Sequence, residues 1–138
     1  MIISDLHSGS VWGLSSPEFY YRNTKVNDEW TEHRKQRRKM QEEAWTEYLR
    51  IVKQWYKPDV LLVNGDAIEG RQSRQGSSEL ITANLEEQAR MAVICISQFK
   101  AKKILMTYGT SCHNSPEAED WEHIIAQDLK ADISGHIS

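Results

Sequence analysis

Short apolar runs alternate with longer amphipathic stretches along this chain, and that alternation predicts its elements. Met1-Ile2-Ile3-Ser4 is an apolar run ending in Asp5-Leu6-His7, which suits the end of a buried strand. From Ser8 to about Asn27 no period holds, and Gly9, Gly13 and Pro17 break the chain. Connections of this length in compact domains are usually functional or mobile. A helix is predicted from about Asp28 to Tyr56. In it Met40, Ala44, Tyr48, Ile51, Val52 and Trp55 recur at spacings of three and four, and Pro58 stops it.

Val60-Leu61-Leu62-Val63, bounded by Asp59 and by Asn64-Gly65-Asp66, reads as a central parallel strand covered on both faces. A loop rich in Gly, Ser and Gln follows over residues 65–79. A second helix is predicted from about Glu79 to Lys100, with Ile81, Leu85, Ala89, Ala92, Ile96 and Phe99 on one face. Lys103 to Tyr108 is a third strand, broken at Gly109. Ser115-Pro116 supplies a cap and first position for a third helix through Leu129, with Ala118, Trp121, Ile125 and Leu129 inward. Ala131-Asp132-Ile133-Ser134 begins a fourth strand. The order β-α-β-α-β-α-β implies the α/β class, with a mostly parallel sheet flanked by helices and right-handed crossovers. No internal repeat interrupts it.

Length and composition narrow this further. The 138 residues suit a single domain spanning 1–138. With 39% hydrophobic residues and a mean hydropathy of −0.64, no membrane-spanning stretch is expected. Seventeen Lys and Arg against twenty Asp and Glu give a net charge of −3, which argues against a uniformly basic nucleic-acid binder. Two cysteines, Cys95 and Cys112, make no disulfide framework, and no signal region precedes the first polar residues. The expected location is the cytoplasm, in a reducing environment.

The candidate chemistry lies where three polar clusters fall. Asp5-Leu6-His7 follows the first strand, Gly65-Asp66 the second, and Gly109-Thr110-Ser111-Cys112-His113-Asn114 the third. In an open parallel sheet the carboxyl ends of the strands share one edge, where ligands bind. Carboxylates and imidazoles suit hard to borderline divalent cations such as Mn²⁺, Zn²⁺ or Fe. On an extended strand end, Asp5 and His7 point to one side and can share an ion. Asp66, with two oxygens, can bridge two. Walker, dinucleotide-binding, zincin and Cys-rich zinc patterns are absent from the sequence.

These blocks resemble those of the calcineurin-like metallophosphoesterases, which read D-x-H, G-D-x-x-[D/G] and G-N-H-[D/E] at successive strand ends. Asp5-Leu6-His7 matches the first, and Gly65-Asp66-Ala67-Ile68-Glu69-Gly70 the second. The third is altered, since Thr110 stands where the family has a metal-binding Asn and the histidine comes late, at His113. The chain looks closest to a phage-type branch whose third block reads G-T-x-x-H. The resemblance implies hydrolysis of phosphoesters by a hydroxide activated at two divalent metal ions, Mn²⁺ before Zn²⁺ or Fe. Asp5 and His7 would then hold the first ion, Asp66 would bridge, and His113 would assist the leaving group. Thr110 leaves the second ion without the family's Asn. The family's further histidines, commonly in G-H-x-H, are reduced to Gly135-His136-Ile137-Ser138, so the resemblance covers the N-terminal half of the family's sandwich.

Two functional classes follow. One is a metal-dependent phosphoesterase acting on phosphodiesters of nucleotides or nucleic acid. The other is a catalytically incomplete half-domain that binds a partner, with an exposed sheet face open to oligomerisation. Arg34, Lys35, Arg37, Arg38 and Lys39 form either a phosphate-contacting patch or a solvated helix face balanced by Glu42 and Glu43. Trp12, Phe19, Tyr20, Tyr21 and Trp30 lie nearby and offer stacking surface. The acidic segment after Asn114 favours a short or single-stranded substrate over a long duplex. Cys95, among Ile94, Ile96 and Phe99, is expected in the core.

Overall fold

The apolar runs pair side by side in the order in which they occur in the chain. The computed structural model describes residues 1–20, 29–71, 79–110 and 116–136. Strands β1 (Ile2–Ile3), β2 (Val60–Asn64), β3 (Lys103–Tyr108) and β4 (Asp132–His136) form one all-parallel sheet in the order β1-β2-β3-β4. Helices α1 (Glu29–Gln54), α2 (Leu85–Ile96) and α3 (Pro116–Leu129) are the crossovers, and a 3₁₀ turn covers Pro17–Phe19. This is the α/β class, and no described helix is long and apolar enough to cross a membrane.

Neighbouring strands joined by crossovers of one hand place successive helices on one face of the sheet. Tyr48 of α1 donates its hydroxyl to the Cys95 carbonyl oxygen of α2 at 2.8 Å and meets Phe99 edge-on at 5.9 Å. Helix α2 in turn lies against α3. Beneath them Leu61, Val63 and Met106 are buried, with Ile3, Ile104 and Ile133 packed on the same core. Cys95 is buried there too, and desolvation pushes its thiol pKa up to about 12. The opposite face carries the register row Ile2, Leu62 and Leu105. On that side Ile2 is 66% and Val60 42% exposed. Among the described residues strand β2 is therefore covered by helices on one face only, because consecutive strand order places none on the other.

Three boundaries and stripes differ from the sequence expectation. The inward line of α1 is Gln41, Trp45, Tyr48 and Val52, while Met40 and Trp55 face solvent and Ala44 is exposed. The first half of α1 is almost wholly polar and gives the stripe little phase of its own. Docking against α2 turns it so that Trp45 and Tyr48, their rings 5.7 Å apart and tilted by 34°, bury their larger area. Helix α2 begins at Leu85 because Asn84 caps it, its Oδ1 accepting from the Glu86 N–H at 2.9 Å and the Glu87 N–H at 3.3 Å. Ile81 is drawn into the preceding loop, where its N–H donates to the Gly9 carbonyl at 2.7 Å. On α3 the predicted Trp121, Ile125 and Leu129 do pack on the core, but buried Glu122 and Ala126 join them, and the Ala118 side chain lies outside the described residues.

Because Asn84 satisfies two otherwise orphaned donors, Asn84→Ala is expected to destabilise the fold by about 1 kcal/mol. Urea unfolding checks this, as a lower midpoint at unchanged slope.

Candidate metal centre

Strand β1 is short, yet the chain beyond it continues to follow the chain beyond β2. His7 N–H donates to the Asp66 carbonyl at 3.0 Å, Ser8 N–H to Ala67 at 3.1 Å, and Glu69 N–H returns to Ser8 at 3.1 Å. The whole segment from Gly65 to Gly70 is buried. Gln88 of α2, fully buried, clasps it from behind. Its amide donates to the Gly70 and Thr82 carbonyls and accepts from the Gly70 N–H, each at 2.9 Å. Gly9, at φ 102°, packs so closely on Gln88 that a Cβ would overlap that side chain.

This stitching brings Asp5, His7 and Asp66 together. One potential ligand atom from each lies within 4.8 Å of the others. The route differs from the expected one, since Asp5 and His7 do not alternate on an extended strand end. Asp5, His7 and Asp66 all adopt left-handed backbone, at φ 55°, 45° and 48°. Asp and His tolerate that region better than most residues. Each such residue still costs on the order of 1–3 kcal/mol, and such strain gathers at functional sites.

His7 and Asp66 are then held by neighbours, of which the motif reading had not singled out Glu69. Glu69, 8% exposed, places Oε2 2.8 Å from His7 Nδ1, while His7 Nε2 faces Asp5 Oδ1 at 3.7 Å. A carboxylate on one imidazole nitrogen fixes the ring with the other nitrogen aimed at a metal position. The hydrogen bond to Glu69 raises the His7 pKa above its ordinary 6.5; burial opposes this, and the charges of Glu69, Asp66 and Asp5 add to it. Asp66, 4% exposed, accepts on Oδ1 from the Thr110 N–H at 2.9 Å and from the Thr110 hydroxyl at 3.3 Å. Gly109 lies so close that a Cβ there would overlap Asp66 Oδ1. Its own N–H donates to Oε2 of the buried Glu122 at 3.0 Å.

The donor set fits a divalent cation. Asp5, Asp66 and Glu69 place three carboxylates around one imidazole. Two ligands bound at about 2.0–2.2 Å to a common ion stand at most about 4.4 Å apart, and His7 Nε2 and Asp5 Oδ1, at 3.7 Å, already meet that limit. Among the described residues this is one group of three ligands, enough to begin one ion site. His113, Cys112 and Asn114 lie outside the described residues. The backbone of His136 pairs with Tyr108 at the same sheet edge, and its side chain is likewise outside them. Glu69 had a legible signal, three residues after Asp66 inside the second block. Glu122 had a weaker one, a carboxylate on the apolar side of α3.

Substitution and pH both test this geometry. Glu69→Gln is expected to lower the His7 pKa, read by NMR titration of the metal-free chain, and to weaken Mn²⁺ binding about 10- to 100-fold. Protonated His7 adds stability to the metal-free chain at pH below the ordinary 6.5, a gain lost as pH rises through the raised folded value. Mn²⁺ affinity runs the opposite way and rises with pH across that range, because the ion needs neutral imidazole. Gly109→Ala is expected to displace the Asp66 carboxylate and weaken Mn²⁺ binding in calorimetry.

No family model matches the chain and no curated protein matches it.

Proposed function

We propose that the chain is a metal-dependent phosphoesterase of the calcineurin-like kind, acting on phosphodiesters, and that its sheet is the N-terminal half of that family's sandwich. The observation that carries this reading is the convergence of Asp5, His7 and Asp66, all in left-handed backbone, at the carboxyl edge of a parallel sheet. In this reading Asp5, His7 and Asp66 would hold a divalent cation, Mn²⁺ before Zn²⁺ or Fe, as one of a pair. A bound cation supplies Lewis acidity, which neutralises phosphate charge and lowers the pKa of water.

The chain's own residues prepare that site. Glu69 holds the His7 ring so that Nε2 faces Asp5. Thr110, through its N–H and hydroxyl, keeps the Asp66 carboxylate at the sheet edge, and Glu122 holds Gly109 against it. His113, carried over from the resemblance, is proposed to hydrogen-bond or protonate the leaving oxygen.

A second reading, an interaction module, is favoured by the uncovered sheet face with Ile2 and Val60 exposed, since large apolar exposure usually marks an interface. One experiment separates the two. The native chain with Mn²⁺ is expected to hydrolyse bis(p-nitrophenyl) phosphate. Asp66→Asn, which tolerates left-handed backbone and keeps the side-chain shape, should lower the rate by at least about a hundredfold, the scale on which losing a preorganised charged group is felt. Activity unaffected by Asp66→Asn would overturn the phosphoesterase reading, and no heat of Mn²⁺ binding would leave the interaction module.

A further inference from the structure

Trp12 is a large aromatic side chain left 55% exposed on a backbone that is fixed on both sides. Before it, Val11 is 1% exposed, its N–H donating to the Glu79 carbonyl at 2.9 Å and its carbonyl accepting from Gln41 of α1 at 3.5 Å. After it, Gly13 packs so tightly that a Cβ would overlap the His7 carbonyl oxygen, and Leu14 N–H donates to the Leu6 carbonyl at 2.9 Å. The Trp12 N–H is itself within 3.2 Å of Ser10 Oγ. The indole is thus presented rigidly from a loop that folds back on His7, one of the three converging residues.

Arg37 sits against this ring, its guanidinium carbon 5.4 Å from the ring centroid. It differs from its neighbours in the basic run. Lys35 pairs with Glu32 at 2.6 Å, Arg38 with Glu42 at 2.9 Å and Lys39 with Glu43 at 3.8 Å, all on the exposed surface of α1. Those pairs give most of the run the character of a solvated helix face. Arg37 is half-buried, has no carboxylate partner among the described residues, and lies one turn before Gln41 on the side that meets the Trp12 loop. Its charge is held by an aromatic face and remains available to an anion.

We propose that Trp12 and Arg37 form a base-binding subsite beside the metal centre. A nucleoside phosphodiester in single-stranded form stacks one base on the indole, and Arg37 meets an adjoining phosphate. The bases of a duplex are already stacked on their neighbours, so a single strand or dinucleotide is the form that fits. The proposal rests on the phosphodiesterase reading for its catalytic consequence, and its binding consequence can be measured without catalysis.

The test has two arms. In the first, anisotropy of a fluorescein-labelled short oligothymidylate is followed in EDTA, so that no hydrolysis intervenes. Trp12→Ala is expected to weaken binding roughly 5- to 150-fold, the range that stacking one base on an aromatic corresponds to, with Trp12→Phe restoring most of it. Arg37→Ala should flatten the log–log salt slope by about 0.7. Failure of the native chain to bind, or equal binding by Trp12→Ala, would overturn the subsite. In the second arm, thymidine 5′-(p-nitrophenyl phosphate) and methyl p-nitrophenyl phosphate are compared with Mn²⁺ present. The ratio of kcat/KM for the two should fall in Trp12→Ala. Trp12-dependent binding with neither ester hydrolysed sinks the phosphodiesterase reading and keeps the subsite. Hydrolysis of both at a ratio unchanged by Trp12→Ala sinks the subsite and keeps the phosphodiesterase.

Discussion

Asp66 is the residue on which three strand ends meet. Its backbone, left-handed directly after the left-handed Gly65, ends β2 abruptly while leaving its carbonyl to accept from His7. Its carboxylate reaches the other way, to Thr110 beyond β3. The contact is possible only because residue 109 has no Cβ. A single side chain thereby joins the loops after β1, β2 and β3, and buried Glu122 of α3 braces the last of them through the Gly109 N–H. Burying an acidic group is costly unless it is hydrogen-bonded. Here the bonds that satisfy Asp66 and Glu122 are the same ones that position the site.

The rest of the scaffold keeps that junction from relaxing. Left-handed Asp5, His7 and Asp66 are held by contacts the surrounding fold imposes, which is how strained backbone persists. Gln88 does much of this from α2, filling its donors and acceptor on Gly70 and Thr82 while pressing on Gly9. The helix that carries Gln88 is capped by Asn84 and starts at Leu85 rather than at Glu79. The shorter helix frees residues 79–84 to bond the loop after β1, at Val11 and Gly9. Local capping and the site are connected in this way, since a longer α2 would remove those bonds.

Sequence and structure agree where a segment's own chemistry is decisive. The run from Lys103 to Tyr108 became β3 over those residues, and Pro116 to Leu129 became α3, each bounded by Gly or Pro signals. The helix on α1 was legible in extent, from about Asp28 against an observed Glu29, and its predicted Tyr48, Ile51 and Val52 do pack on the core, whereas Met40, Ala44 and Trp55 do not. A helix whose first half is polar all round has no strong preference for which side turns inward. The choice fell to Tyr48, which found a carbonyl and an aromatic edge on α2.

What the sequence alone determined was the alternation of strands and helices and the placement of Asp5, His7 and Asp66 just past strand ends. Apolar periodicity and turn residues act locally, so they can be read from a single chain. Tertiary structure decided how those three residues approach one another, through left-handed turns rather than strand alternation. It also decided that Glu69 and Glu122 serve as supports and that the described helices cover one face of the sheet. Each of these depends on which backbone donor or ring lies opposite a given side chain across tens of residues. No local pattern encodes that, because the same Glu is solvated on an open helix and a hydrogen-bond partner once another element closes over it.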